Sequence, residues 1–414
     1  MDGHADPAGA PLRIAMIGTR GVPAAYGGFE TAVEEIGSRL AGRGHEVTVY
    51  CRRAADASQR EYAGMRLVHL PALKLKTAET LSHTAFSVSH AIAQRRRPDV
   101  AFVFNAANAP FVPLLRARGI PAAVHVDGLE WLREKWGGAG RAYYRWAERS
   151  AVRNADALIA DASGIADHFA SAYGAPTRLI SYGAPVQLKP PSDRLSELGL
   201  SWKGFHLVVA RFEPENHVDV IVAGYVRSNA RLPLVVVGSA PYAAEYTRRV
   251  ESSAADDARV RLVGGMYDQD LLDQLYAGAL TYLHGHSVGG TNPSLLRAMG
   301  GGSAVVAWDV SFNREVAGEH GRYFTDDASL AAMIETAESS PDDTQHAGVA
   351  LREVVRTNYR WDDVAVAYEA LAGELKSGAS SRVRAHGHEP APEPRPVRSR
   401  TTVLSPARLH GRLH

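Results

Sequence analysis

The chain alternates short apolar strand patterns with amphipathic helix patterns, and this alternation constrains its fold more than any other feature. Arg13–Gly18 (RIAMIG) is an apolar run that ends in glycine, which is typical of a buried strand. After a glycine-rich loop, apolar residues recur every three or four positions from Phe29 to Leu40, which predicts one face of a helix. Glu46–Cys51 (EVTVYC) has the pattern of a second strand. This order predicts a parallel strand–helix–strand unit.

The same rhythm continues, stops at a segment rich in proline, serine and charge, and then restarts. Before the interruption we predict strands at Met65–Leu70, Val100–Phe104, Pro121–Val126, Ala157–Ala160 and Arg178–Ser181. After it we predict strands at Phe205–Ala210, Leu232–Gly238, Arg259–Val263, Ala279–Leu283 and Ser303–Ala307. The fold class is therefore α/β, with two Rossmann-like, doubly wound parallel-sheet domains. Ligands of such folds bind beyond the carboxyl ends of the strands, so we expect a site in the cleft between the domains.

Length and composition agree with two domains. A chain of 414 residues is too long for one typical core. We divide it into an N-terminal segment expected to be disordered (1–12), an N-terminal domain (13–185), a linker (186–203), a C-terminal domain (204–376) and a tail (377–414). The one cysteine, Cys51, excludes an internal disulfide framework and fits a reducing compartment. No apolar run approaches the ~20 residues of a membrane-spanning helix, so a cytoplasmic protein is expected.

The tail has a composition unlike the rest of the chain. From Ser377 onward it contains seven arginines and two glutamates among prolines, serines and glycines. It has almost nothing to bury, which predicts disorder. Two interpretations stay open, a solvated tail and a weak peripheral contact with anionic membrane lipid. Nucleic acid is not expected as a partner, because the tail lacks aromatic residues.

The segment from His284 to Met299 (HGHSVGGTNPSLLRAM) predicts an anion site. Asn292 is a good helix N-cap, and Pro293 fits the first helical position. The glycines before them allow the backbone to approach a ligand closely. Free N–H groups at the positive end of a helix bind phosphate well, so we expect a phosphate or diphosphate ligand here. His284 and His286 have no third ligand near them in sequence, so no metal site is predicted.

Two features argue against a nicotinamide-dependent dehydrogenase. The loop from Gly18 to Gly28 (GTRGVPAAYGG) lacks the compact glycine spacing of a dinucleotide-binding fingerprint. The second strand ends in Cys51-Arg52, where such an enzyme would place an acidic residue for the ribose hydroxyls.

Six segments, taken together and in this order, carry a resemblance to a known family. They are MIGTRGVPAAYGGFE (16–30), HVDGLEW (125–131), VARFEPEN (209–216), GGMYDQDLL (264–272), HSVGGTNPSLL (286–296) and WDVSFNREV (308–316). The chain resembles family-4 glycosyltransferases, which have the GT-B fold, and looks similar to the bacterial branch of rhamnosyltransferases in polysaccharide assembly. The resemblance spans about residues 13–375.

The resemblance implies a retaining, metal-independent transfer from a nucleoside-diphosphate sugar, with no cofactor. The donor would lie mainly on the C-terminal domain and the acceptor on the N-terminal one. A hexose or deoxyhexose, rhamnose among them, would pass to a cell-surface polysaccharide or a polyprenyl-linked oligosaccharide at the inner membrane face. Without a metal, the charge that develops on the leaving diphosphate needs fixed cations and N–H dipoles.

The residues expected at the site fall into three groups. We place at the donor Arg211, His286, Gly289, Gly290, Thr291, Asn292, Ser294, Arg297, Asn313 and Glu315. The glycine-rich loop contributes Tyr26, Gly27, Gly28 and Glu30, close to the donor phosphate or the reacting sugar. The candidate catalytic residues are His125, Asp127 and Glu130, of which Asp127 is the preferred general base or acceptor-orienting carboxylate. The donor phosphate itself is the other candidate acceptor of the proton.

Three positions depart from the family pattern. The family usually has a lysine where this chain has Asn216, so one phosphate-binding cation is missing. Many members also have a pair of glutamates where this chain has Gly289 and Arg297, and the second commonly contacts the donor ribose. Arg297 is expected either to bind phosphate or to face solvent. Arg211 is expected at the diphosphate, the alternative being a surface ion pair with Glu213 or Glu215.

Two other classes of function stay open. Sugar-nucleotide epimerases share the two-domain architecture and would convert the donor without an acceptor. A non-catalytic protein that binds nucleotide sugar or polysaccharide would fit the departures at Asn216 and Arg297.

Overall fold

A computed structural model describes residues 10–24, 27–53, 58–73, 78–126, 128–134, 136–240, 243–254 and 257–381. The chain forms two α/β domains with mainly parallel sheets, so the predicted fold class is confirmed. Most of the predicted N-terminal segment 1–12 and of the tail 377–414 lies outside the described residues.

The N-terminal domain is built on an eight-stranded sheet in the order β3-β4-β2-β1-β5-β6-β7-β8, in which only β3 is antiparallel to its neighbour. Its strands are β1 (Arg13–Ile17), β2 (Glu46–Arg52), β3 (Glu61–Tyr62), β4 (Met65–Leu70), β5 (Val100–Phe104), β6 (Ala122–Val126), β7 (Ala157–Ala160) and β8 (Arg178–Leu179). Its helices are α1 (Gly28–Gly42), α2 (Glu79–Ala93), α3 (Val112–Arg116), α4 (Gly138–Asn154) and α5 (Ser163–Tyr173).

The C-terminal domain is built on six parallel strands in the order β11-β10-β9-β12-β13-β14. They are β9 (His206–Val209), β10 (Leu234–Val237), β11 (Val260–Gly264), β12 (Thr281–His284), β13 (Ala304–Trp308) and β14 (Arg322–Phe324). The helices are α6 (Val218–Arg227), α7 (Ala244–Ala254), α8 (Gln269–Gly278), α9 (Pro293–Gly301), α10 (Ser311–Ala317), α11 (Asp327–Ser339), α12 (Pro341–Asn358) and α13 (Trp361–Lys376). All the predicted strands are present, and the short edge strands β3 and β14 are additional.

Each sheet is covered on both faces, which explains why its central strands are apolar throughout. In β1, Ile14 and Met16 pack with α1 on one face, while Ala15 and Ile17 pack on the other face with α2 to α5. In the second domain, α6, α7 and α11 cover one face and α8, α9 and α12 cover the other.

The last helix returns to the N-terminal domain. Although α13 lies within the range predicted for the C-terminal domain, it packs on α1, where Asp362 accepts a hydrogen bond from Arg39 at 2.8 Å. The ring of Tyr368 lies 4.9 Å from that of Phe102 in β5. The chain therefore crosses between the domains twice. The crossings lie side by side, since the Ala184 N–H donates to the Tyr359 carbonyl at 2.9 Å.

The linker 186–203 packs on the C-terminal domain, and its last residue is held there by three hydrogen bonds. The ammonium of Lys203 donates to the carbonyls of Ala277, Ala279 and Gly302 at 2.8, 2.9 and 3.1 Å. These carbonyls end α8 and α9, where helices leave acceptors unpaired. None of the helices in the described ranges is long and apolar enough to cross a bilayer.

We expect Lys203→Met to lower the free energy of unfolding by about 1–3 kcal/mol, because it leaves buried carbonyl acceptors without a donor. Lys189→Met, at an exposed position of the same linker, is the matched control and should have little effect. Urea unfolding followed by circular dichroism measures both. Equal stabilities of the two variants would contradict this role.

Candidate active site

The two domains meet where their glycine-rich loops approach each other. A Cβ on Gly28, at the start of α1, would lie 3.0 Å from Cγ of Pro293, at the start of α9. A Cβ on Gly128, after β6, would lie 3.0 Å from Cα of Gly289. Gly128 and Gly289 also have φ values of +136° and +139°, which side chains rarely allow. The segments predicted to hold donor and acceptor therefore face each other across one cleft.

The start of α9 has the predicted cap. The Asn292 side chain accepts a hydrogen bond from the Ser294 N–H at 2.9 Å, and Pro293 occupies the first turn. Thr291 is used differently from the prediction, since its hydroxyl donates to the Asp161 carbonyl of the N-terminal domain at 2.6 Å. Gly290 also lies against Asp161, where a Cβ would come within 2.1 Å of Oδ1. The helix N-terminus thus lies at the cleft, and Thr291 helps to join the domains.

Arg211 follows β9 and lies at the cleft with its side chain 36% exposed. Its guanidinium lies 3.3 Å from Glu213, so the ion pair considered as the alternative is present. Glu213 is nearly buried, but the Arg211 side chain is partly exposed, so an anion in the cleft can reach its guanidinium. Asn216 is buried and donates to the Arg211 carbonyl at 2.8 Å, which fixes the loop without supplying a charge.

A second arginine reaches the same place from the other domain. Arg133 follows the 3₁₀ turn Glu130–Leu132, and its Nε lies 2.5 Å from Glu130. It also lies 3.4 Å from Glu215 and 3.8 Å from Glu213, which are 5% and 2% exposed. Glu130 is therefore committed to Arg133 rather than free for catalysis in this conformation. No local sequence pattern indicated the contact of Arg133 with Glu215, because the two residues are 82 positions apart in the chain.

His125, His284 and His286 are buried near the cleft and are neutral at pH 7. His125 lies in a box of Phe29, Phe104 and Tyr182 rings, and burial lowers its pKa to about 3. The rings of His284 and His286 stack at 4.4 Å. Burial lowers the pKa of His284 to about 3. Burial, with the charges of His284, Arg133 and Arg211, holds the pKa of His286 well below its usual range.

The residues around α10 serve mainly to hold loops. Asn313 donates to the carbonyls of His286 and Trp308 at 3.0 and 2.9 Å, so it fixes the loop that carries His286. Glu315 accepts from the N–H and the hydroxyl of Ser163 at 3.0 and 2.6 Å. It thereby caps α5 from the opposite domain and does not line the donor site in this conformation.

Arg297 is held by residues of α8 in this conformation. Its Nε donates to Asp273 at 2.6 Å, Nη1 to the Gln269 side chain at 2.9 Å, and Nη2 to the Gln269 carbonyl at 3.2 Å. The guanidinium also lies 5.2 Å from the Tyr276 ring centroid. Since every nitrogen is held by α8, Arg297 stabilises the packing of α9 on α8 and is not available to a donor phosphate here.

The glycine-rich loop after β1 folds back on itself. Glu30 accepts a hydrogen bond from the Arg20 N–H at 3.1 Å, and a Cβ on Gly27 would come within 2.1 Å of its Oε2. Gly27 has a φ of +129°. Tyr26 and Asp127 lie outside the described residues. Within the described part of the chain, no group of three or more His, Cys, Asp or Glu side chains is placed to hold a metal ion.

Because these histidines are buried and neutral, we predict that the free energy of unfolding decreases as the pH is lowered. His83, whose pKa burial lowers to about 4, adds to His125, His284 and His286. The unfolded chain binds these protons near pH 6.5, so the stabilisation is complete above that pH and is lost as the pH falls below it. Each group with a folded pKa near 3 contributes a loss of about 2 kcal/mol between pH 7 and 5.

The slope of the unfolding free energy against pH measures these protons. His284→Phe should reduce the slope by about one proton, and His320→Gln, at an exposed position, should leave it unchanged. A slope in His284→Phe as steep as in the unchanged protein would show that His284 is already protonated in the fold.

Comparison with known proteins agrees with this geometry. Residues 12–185 match a family model described only as a domain of unknown function, DUF1972, and residues 204–339 match the model "Glycosyl transferases group 1". The chain is 27% identical over 277 residues to alpha-maltose-1-phosphate synthase of Mycolicibacterium smegmatis, a match that covers 60% of this chain and 71% of that protein.

Two solved structures share the fold. Sucrose-phosphate synthase of Thermosynechococcus elongatus superposes with a TM-score of 0.77 at 22% identity, over 88% of this chain and 99% of that one. Anabaena Alr3699/HepE in complex with UDP-glucose superposes with a TM-score of 0.72 at 18% identity, over 87% and 100%. The chain has the GT-B fold, and its matches support a glycosyltransferase that acts on nucleotide sugars.

Proposed function

We propose that the protein transfers a hexose or deoxyhexose, with retention and without a metal, from a nucleoside-diphosphate sugar to a cell-surface polysaccharide or a lipid-linked oligosaccharide. The observation that carries the proposal is that the charge of Arg211 reaches His286, on the loop that leads to the capped start of α9. The structure of HepE contains UDP-glucose on the same fold, which supports a donor of this class.

In this proposal the donor diphosphate binds at the start of α9. The N–H groups near Gly290 and Asn292 point along the helix dipole, which favours an anion. Arg211 leaves Glu213 and binds the phosphates through two N–H groups, the geometry that guanidinium and phosphate share. The Gly27–Gly28 turn gives the phosphate and the reacting sugar room beside the backbone.

The proposed reaction breaks the bond from the anomeric carbon to the diphosphate oxygen and forms a bond from that carbon to the acceptor hydroxyl oxygen. The acceptor proton passes to an oxygen of the leaving diphosphate. Negative charge develops on that leaving group, and Arg211 with the helix N-terminus stabilises it. His125, neutral and enclosed by aromatic rings, orients the donor sugar by hydrogen bonding rather than by charge.

Donor identity, acceptor and location belong to the same proposal. The resemblance to rhamnosyltransferases favours a deoxyhexose such as rhamnose and a polyprenyl-linked acceptor. Such an acceptor would place the protein in the cytoplasm, at the inner face of the membrane. A non-catalytic binding role is the second candidate, because Asn216 supplies no charge and Arg297 is held by α8.

We expect Arg211→Ala to weaken binding of the matching nucleoside diphosphate about 10- to 100-fold, because it removes charged hydrogen bonds to phosphate. Isothermal titration with UDP, dTDP, GDP and ADP, each with and without EDTA, identifies the base and tests the independence from metal. Arg297→Ala is the matched control, which should keep its affinity but unfold at a lower temperature. Equal losses of affinity in both variants would show that Arg297 also contributes to binding of the nucleotide.

Product analysis separates the classes of function. A transferase releases nucleoside diphosphate and forms a glycoside only when an acceptor is added. An epimerase converts the donor sugar without an acceptor. A protein that binds nucleotide but shows neither reaction, with or without a range of oligosaccharide acceptors, has the non-catalytic role.

A further inference from the structure

The surface formed by α4 and by the loops that follow α2 and α3 is strongly basic. Residues 81–155 contain eleven Lys and Arg but five Asp and Glu, whereas the whole chain has a net charge of only +1. These helices cover the same face of the N-terminal sheet. We call this surface the basic layer, defined by its exposed arginines Arg95, Arg96, Arg97, Arg118, Arg141, Arg149 and Arg153.

The acidic residues of this stretch do not neutralise the basic layer. Asp99 is buried and bound to Arg13 and Lys376 from outside it. Glu148 is buried and accepts hydrogen bonds from Trp131 and Tyr173 at 2.9 and 3.0 Å. Glu130 is bound to Arg133, Glu134 is exposed near the cleft, and Asp127 lies outside the described residues. Among the residues that the structure describes, none of the seven arginines forms a salt bridge.

Large apolar side chains are exposed on the helices of this face of the sheet. Phe86 on α2, Leu114 on α3 and Trp146 on α4 are 44%, 48% and 52% exposed. Trp146 rests on the ring of Tyr143 at 5.6 Å, and the Tyr143 hydroxyl is fixed by the Ala107 carbonyl at 2.8 Å. Each of these three helices therefore carries one exposed large apolar side chain in a part of the chain with an excess of positive charge.

We propose that the basic layer docks on the surface of an anionic lipid bilayer. Guanidinium groups bind lipid phosphates, and each basic residue near an anionic surface strengthens binding about fivefold. Trp146 suits the boundary between headgroups and acyl chains, and Phe86 and Leu114 suit the apolar region just below it. A nucleic-acid backbone would satisfy the arginines but would leave Leu114 and Phe86 without an apolar partner.

The remaining chain leaves the fold beside the basic layer. The Ser381 N–H donates to the Asp156 carbonyl at 2.8 Å, and Arg116 at the end of α3 pairs with the Asp156 carboxylate at 3.3 Å. Beyond this point residues 382–414 hold seven arginines and two glutamates. The tail therefore starts where it can reach the same anionic surface. The docking does not depend on the proposed transfer reaction, because vesicle binding needs no donor.

The test is flotation of the full chain with vesicles of phosphatidylcholine alone and of phosphatidylcholine with phosphatidylglycerol. We expect binding only to the anionic vesicles, weakened by salt. Arg118→Gln, Arg149→Gln and Arg153→Gln combined should lower the affinity about a hundredfold, since three arginines are lost. Trp146→Ser should lower it at least severalfold. The matched controls, Arg356→Gln with Arg360→Gln and Val349→Ser at exposed sites on the C-terminal domain, should bind like the unchanged protein.

Three results would overturn the proposal. One is no binding to anionic vesicles. Another is binding that survives the triple substitution but disappears when the seven tail arginines become glutamine, which would assign it to the tail alone. The third is preferential binding of duplex or single-stranded nucleic acid over the vesicles at the same salt concentration. Nucleotide titration of each variant confirms that the fold and the donor site are intact, whatever the outcome for lipid.

Discussion

The close approach of two backbone loops, with no side chain between them, is the constraint on which the site depends. Gly28 meets Pro293 and Gly128 meets Gly289 at distances that a Cβ would already crowd. Because three of these four residues are glycines, the start of α9 and the loop before it can lie against the segments that follow β1 and β6. Two further hydrogen bonds join the domains beside these glycines, one between Glu315 and Ser163 and one between Thr291 and Asp161. Larger residues at these glycines would hold the two halves of the site apart.

The charges at the cleft are arranged around that contact. Arg211 and Arg133 come from different domains and share the nearly buried carboxylate of Glu213. Burying carboxylates is costly unless each is paired, so these ion pairs are interdependent. An arriving diphosphate would compete with Glu213 for Arg211. An anion bound to Arg211 would therefore also change the charge balance around Arg133, on the opposite domain.

Local features of the site could be predicted from the sequence, and long-range contacts could not. The cap at Asn292 and Pro293 follows from neighbouring residues, and the buried strands follow from short apolar runs. Edge strands β3 and β14 are two and three residues long, too short to give a periodic pattern. The contact of Arg297 with Asp273 could not be predicted because Asp273 lies on another helix, and Arg133 was missed because Glu215 lies in another domain. Such pairs become visible only when the packing is known.

The paired crossings of the chain have a mechanical consequence. Pro185 is the last residue before the linker, and α13 begins at Trp361. Just before these points, the two segments of chain are joined by the hydrogen bond from the Ala184 N–H to the Tyr359 carbonyl. Gly183 packs so tightly on Trp361 that a Cβ would lie 2.6 Å from its backbone nitrogen. The two crossings are therefore fixed to each other, and any change in the angle between the domains would have to bend both crossings together.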